Sequence, residues 1–166
     1  MFEDSRGYFL ESYNQKKFEE IVGISFVQDN ESKSSKGVLR GLHFQKPPFE
    51  QAKLVRCIEG QVLDVVVDIR TNSKTYGHHV KVLLSGKNKR QLFVPRGFAH
   101  GFLVMSEYAI FAYKVDNFYE PDYEGGIYWN DPTLNIPWGV DENEIIVSSK
   151  DSKLSFFSEF KSPFSI

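Results

Sequence analysis

The sequence predicts an all-β domain, a sandwich or barrel, with one or two short helices. Three observations lead there. Aromatic residues make up 15% of the 166 residues, with 15 Phe, 8 Tyr and 2 Trp, and such rings favour pleated, half-buried surfaces. From Gln61 to Arg70 the chain alternates: Leu63, Val65, Val67 and Ile69 share one face, and Val62, Asp64, Val66 and Asp68 the other. Short apolar runs are separated by turn-forming clusters, the rhythm of antiparallel sandwiches and barrels. That rhythm does not distinguish a jelly roll from other sandwiches.

In chain order, the first element is a helix at Gln15–Val22. Asn14 stands where a capping side chain is wanted, and Phe18, Ile21 and Val22 recur at helical spacing. Strands follow at Ser25–Gln28, Gly37–Phe44, Ala52–Ile58, Gln61–Arg70, Val80–Leu84, Gln91–Val94, Gly101–Val104 and Ala109–Val115. Between them Lys46-Pro47-Pro48, Glu59-Gly60, Ser85-Gly86-Lys87-Asn88 and Pro95-Arg96-Gly97 turn the chain. Asn130–Asp141, broken by Pro132, Pro137 and Gly139, reads as irregular.

Size and charge narrow the function. The 166 residues suit one domain, residues 1–166, able to bury a core without metal or disulfide staples. With 20 basic and 22 acidic side chains and no block of like charge, neither nucleic acid nor a membrane surface is an expected partner. No apolar run reaches the roughly 18 residues of a membrane span. Met1-Phe2-Glu3-Asp4 lacks the basic and apolar regions of a secretory signal. Cys57, the one cysteine, excludes an internal disulfide and suits a reducing compartment, so a cytoplasmic location is expected.

Several residues fit poorly with packing alone. Asp64 lies between Val62 and Val66 on a strand whose other face is aliphatic. It is either on a solvated face or a buried carboxylate that orients a histidine. In Arg40-Gly41-Leu42-His43-Phe44-Gln45, alternation puts Arg40 and His43 on opposite faces unless a bulge at Gly41 re-aims them. Taken alone, His43 reads more readily as a hydrogen-bonded packing histidine than as a base. Lys53, among Gln51, Val55 and Cys57, would by itself snorkel to solvent. His100 stands between aromatics in Phe98-Ala99-His100-Gly101-Phe102, while His78 and His79, beside Gly77, belong to a surface turn.

Elimination leaves one kind of chemistry. A cupin metal site wants His-x-His with a nearby Glu, whereas His43-Phe44-Gln45 offers a neutral amide in the second place. No metal and no cofactor are expected. Mid-strand Cys57 has the setting of an inert thiol. Phosphate-cradling, dinucleotide-binding and nucleophile-elbow motifs are missing. Acid–base catalysis by His, Asp, Tyr and Lys remains, with arginines for an anion.

Nine stretches, taken together and in order, resemble one family. They are Phe2 to Phe9, Phe26 to Asn30, Lys36 to Gln45, Ala52 to Cys57, Asp64 to Arg70, Pro95 to Phe102, Tyr113-Lys114, Trp129-Asn130-Asp131-Pro132 and Ser149-Lys150-Asp151. In these the chain resembles the dTDP-4-dehydrorhamnose 3,5-epimerases of dTDP-L-rhamnose synthesis. The resemblance implies a cupin-type jelly-roll β-sandwich that works as a homodimer on a dTDP-linked 4-keto-6-deoxy sugar. It implies His43 as catalytic base, Asp151 as its partner, Tyr113 as general acid and Lys53 at the enolate oxygen. Asp64 and His100 match a second carboxylate–imidazole pair in the pocket. Arg6, Glu11, Gln28, Asn30, Arg40, Glu124 and Lys150 match nucleotide-sugar contacts. Tyr119 matches the ring that stacks on thymine, with Phe2 beside it. The family carries roughly fifteen to twenty further residues before the first motif, which add an edge strand at the dimer interface.

Those residue types suit the reaction. Protons on C3 and C5 are α to the C4 carbonyl, so removing either gives an enolate. Imidazole is a base near neutral pH, an ammonium stabilises the enolate oxygen, and inversion needs a donor on the other face. Epimerisation at C3 alone, action on another nucleotide-linked ketosugar, and a non-catalytic sugar-nucleotide-binding jelly roll are the alternatives.

Overall fold

The computed structural model describes residues Met1–Ile166. A hairpin opens the chain: β1 (Phe2–Asp4) pairs only with β2 (Gly7–Phe9). Helix α1 (Gln15–Val22) follows within the expected bounds. Asn14 caps it by accepting the Lys17 N–H at 3.3 Å, and Gly23 ends it in the left-handed conformation, with φ 73°. Phe18 packs on Tyr13, but Ile21, expected on the same face, is 78% exposed.

Nine further strands form two antiparallel sheets, the sandwich of a cupin-type jelly roll. They are β3 (Gln28–Ser35), β4 (Leu39–Gln45), β5 (Lys53–Glu59), β6 (Gln61–Asp68), β7 (His79–Ser85), β8 (Gln91–Val94), β9 (Phe98–Val104), β10 (Tyr108–Val115) and β11 (Glu124–Gly126). One sheet runs β3-β10-β5-β8 and the other β11-β4-β9-β6-β7.

The five-stranded sheet is covered on both faces. Val62, Leu84, Phe102 and Val104 meet Val55, Cys57, Ala109 and Phe111 of the other sheet in the inner core. On the outside Leu39, Val65, Val67, Ala99 and Leu103 pack under Ile127, Trp129, Leu134, Ile136, Trp138 and Phe164. The irregular segment Asn130–Asp141 and the aromatic C-terminal segment thus act as a third layer. Burial of each such side chain contributes about 1.5–3 kcal/mol. This double cover explains why β6 is rich in valine on both faces.

Several elements differ from expectation. The strand expected at Ser25–Gln28 begins only at Gln28 and runs to Ser35. Its burial alternates but its side chains are nearly all polar, because Gln28, Asn30 and Ser32 face polar pockets rather than the core. β6 stops at Asp68, whose carboxylate accepts N–H and O–H groups from Arg70, Ser73 and Thr75 and turns the chain. β9 begins earlier than expected, at Phe98, and His79 starts β7 while His78 stays in the exposed turn. The hairpin β1–β2 and the short β11 had no apolar alternation to announce them.

Candidate active site

The two sheets part at one end into a cleft of about 480 Å³, which adjoins a second pocket of about 330 Å³. His43, Lys53 and Tyr113 line both. His43 comes from β4 in the five-stranded sheet, whereas Lys53 and Tyr113 come from β5 and β10 in the four-stranded one.

A bulge sets the β4 side chains. Arg40 lies opposite Phe102 of β9, yet His43 lies opposite His100, so one strand carries an extra residue between these pairs. Gly41 occupies that place, with φ 141°. A Cβ there would stand 2.5 Å from the Gly101 Cα, so the crossing admits only glycine. Arg40 and His43, on opposite faces under strict alternation, both line the cleft. The Arg40 Nε donates to the Ser34 hydroxyl at 3.1 Å, a partner the polar β3 sequence did not mark.

His43 and Asp151 meet across 108 residues: Nε2 lies 2.7 Å from Oδ1. Asp151 is 3% exposed, receives the Gly41 N–H at 3.4 Å, and anchors its own amide on the Ser148 hydroxyl. Burial works to raise its carboxyl, but the hydrogen bond and charge of His43, with Gly41 and Ser148, hold it below its ordinary value. An ionised Asp151 accepts the Nε2 proton and leaves Nδ1 free to take another.

A second pair lies deeper. Asp64 is fully buried, and both its oxygens lie within 3.1 Å of His100 Nε2. The solvated-face reading of Asp64 therefore fails, because both faces of the sheet are covered. Burial pushes this carboxyl up, against the pull of His100 and Lys53. Lys53 is half-buried and points into the cleft rather than out to bulk solvent as a lone lysine would. Burial brings its ammonium down to about 8, although Asp64 and Glu124 pull the other way. Its Nζ sits 5.9 Å from the centre of the Tyr113 ring. Burial raises the Tyr113 phenol, with Arg40 opposing and Glu124 adding.

The smaller pocket gathers Gln28, Asn30, Tyr119 and Glu124. Tyr119 donates its hydroxyl to Glu124 at 2.7 Å, and Lys150 pairs with the same carboxylate. Gln28 bonds Asn30 and accepts the Tyr119 N–H.

Three expected contacts are not brought to the cleft within one chain. Phe2 is 78% exposed, Arg6 pairs with Asp4 in its own hairpin, and Glu11 pairs with Lys17. The hairpin joins neither sheet, so nothing in the chain directs it inward. No three His, Cys, Asp or Glu side chains cluster as a metal site would need.

The family model for dTDP-4-dehydrorhamnose 3,5-epimerase matches residues 1–159. The chain belongs to that family. The epimerase of Shigella flexneri is 58% identical over 153 residues, covering 91% of this chain and 83% of that one. Among solved structures, the dTDP-6-deoxy-D-glucose-3,5-epimerase of Legionella pneumophila, in complex with dTDP-4-keto-L-rhamnose, is 48% identical with a TM-score of 0.92. The alignment covers 96% of this chain and 85% of that one. A 3'-monoepimerase from Streptomyces bikiniensis, in complex with dTDP-quinovose, shares the fold at 30% identity and a TM-score of 0.89, covering 95% and 80% of the two chains. The nine stretches that suggested the dTDP-4-dehydrorhamnose 3,5-epimerase family thus sit in a chain similar to its members almost throughout.

Proposed function

We propose that this protein inverts C3 and C5 of dTDP-4-dehydro-6-deoxy-D-glucose, giving dTDP-4-dehydro-L-rhamnose. The observation that carries the proposal is the placement of His43 and Tyr113 on opposite sheets, facing one cleft. His43 takes the proton α to the C4 carbonyl on Nδ1, while Asp151 stabilises the imidazolium. Lys53 holds its charge against the enolate oxygen in a water-poor site. Tyr113 returns a proton from the other wall, so the carbon inverts. Once His43 has released its proton to solvent and Tyr113 has regained one from it, the same groups act at the second carbon, and each proton-transfer group contributes about 10²–10⁴ in rate. The proposal calls on no metal: where a second cupin ligand would stand, the chain has Gln45.

Arg40 suits the diphosphate, because a guanidinium forks onto phosphate oxygens. Gln28, Asn30, Glu124 and Lys150 would hold sugar and nucleotide, Tyr119 the thymine face, and Asp64 with His100 the ring beside Lys53. Phe2, Arg6 and Glu11 reach a nucleotide only if the hairpin of a second copy enters the cleft. We therefore read the working unit as a cytoplasmic homodimer of one-domain chains. The exposed Phe2, Tyr8 and Phe9 give the hairpin an apolar surface for that purpose.

Incubation with the 4-keto sugar nucleotide in D₂O, followed by NMR of the ring, tests the reading. Deuterium enters at both C3 and C5 with the wild type and at neither with His43→Ala. Deuterium at C3 alone would favour the monoepimerase activity named for the Streptomyces relative. Normal exchange in His43→Ala would sink the base assignment.

A further inference from the structure

Gln45 is two residues beyond His43 on β4, in the place where a metal-binding cupin would have its second ligand. It is 4% exposed and its carboxamide is fully engaged. Nε2 donates to the Phe49 carbonyl at 2.6 Å and to the Phe118 carbonyl at 3.1 Å. Oε1 accepts the Glu120 N–H at 2.7 Å. The residue between the last two, Tyr119, gives its own N–H to Gln28 at 3.2 Å.

One short loop is thus held by two glutamines, Gln45 from the five-stranded sheet and Gln28 from the four-stranded one. The loop belongs to no strand or helix, and the Tyr119 ring is 51% exposed, so packing alone does not fix it. Backbone bonds on either side of the ring hold its base, while the bond from its hydroxyl to Glu124 at 2.7 Å holds its tip. A ring already held in place spares the nucleotide the entropy of ordering it.

We propose that Gln45 is a positioning residue for nucleotide binding: its carboxamide fixes the Phe118–Glu120 backbone and so aims the Tyr119 ring. The same strand then sets both ends of the substrate, the hexose through His43 and the base through Gln45. The proposal rests on the reading of Tyr119 as the thymine platform.

A double-mutant cycle between Gln45→Met and Tyr119→Ala tests it. Gln45→Met keeps the length of the side chain and removes its hydrogen bonds. KM for the sugar nucleotide and the dissociation constant for dTDP should each rise about tenfold, with the loss in KM rather than kcat. The Tyr119 and Glu120 amides should exchange hydrogen faster. In the Tyr119→Ala background the same change should add less than about twofold. A full additional loss there, a fall in kcat with KM unmoved, or unaltered exchange at those amides would each overturn the role of Gln45. Unchanged dTDP affinity in Tyr119→Ala alone would instead remove the reading of Tyr119. If Gln45→Met does not fold, Gln45→Leu, which removes the same hydrogen bonds with a shorter apolar side chain, replaces it with the same expectations.

Discussion

Gly41 and Gly101 cross so closely that a methyl group on the first would stand 2.5 Å from the Cα of the second. The crossing is the bulge that turns both Arg40 and His43 into the cleft, so it links backbone geometry directly to chemistry. Gly41→Ala should destabilise the fold by roughly 2–4 kcal/mol, from left-handed backbone and overpacking together. Thermal unfolding would show it as a loss of about 2–4 °C per kcal/mol. Turnover should fall further than stability, because the strand that carries His43 has to shift. An alanine variant with wild-type activity would mean that the bulge does not set the site.

Asp151 ties stability to acid pH. Its carboxyl is held low by His43, Gly41 and Ser148, so its contribution is present above its unfolded value near pH 4 and lost as pH falls through the folded one. Asp151→Asn should therefore be less stable than wild type at pH 7, with the difference shrinking below about pH 4. Its kcat should drop by about 10²-fold or more, since the amide cannot stabilise an imidazolium. Urea titrations at several pH values, beside initial rates, check both statements.

Lys53 should govern the alkaline side. With its ammonium brought down to about 8 by burial, kcat should decline as pH rises through that value. Lys53→Met should lose about 10²–10³ in kcat and with it that limb of the profile. Stability moves the opposite way. A buried ammonium destabilises while charged, so wild type should gain on Lys53→Met as pH climbs from about 8 toward the unfolded lysine value of about 10.4. A pH–rate profile for each protein, with unfolding curves at pH 7 and pH 9.5, would show whether the signs are right.

Asp131, in the unassigned Trp129–Pro132 stretch, is a structural knot. Its buried carboxylate accepts N–H groups from Thr133, Leu134 and Phe157 at 2.8, 2.9 and 2.7 Å. Asp131→Ala would strand these donors and should lower stability by about 3 kcal/mol or more. Limited proteolysis should then cut first near Phe157, where the C-terminal segment loses its tether.

Local signals made part of this legible. Helix α1 was readable because its cap and its apolar spacing lie within a dozen neighbouring residues, and β6 because its two faces alternate. The strand β3 was not, since Gln28, Asn30 and Ser32 face polar pockets and leave no apolar rhythm. Spacing could not foretell that Asp151 would meet His43, because that contact forms only when the C-terminal segment folds back onto β4. The resemblance supplied the pair, and the fold explains it. Ser34 behind Arg40 and Gln45 behind Tyr119 escaped notice for a related reason: each acts through another residue. Phe2, Arg6 and Glu11 mark the limit of one chain, because the N-terminal hairpin and the segment after it join neither sheet and line neither pocket of the cleft.

The outer layer over the five-stranded sheet also bears on how the protein comes to life. Asp151 lies between Ile127–Trp138 and Phe164, parts of the chain that cover the sheet from outside. A growing polypeptide would display its imidazole long before the carboxylate behind it has left the ribosome. A chain that has not yet wound its last segment onto the sheet therefore carries the imidazole without the carboxylate that braces it.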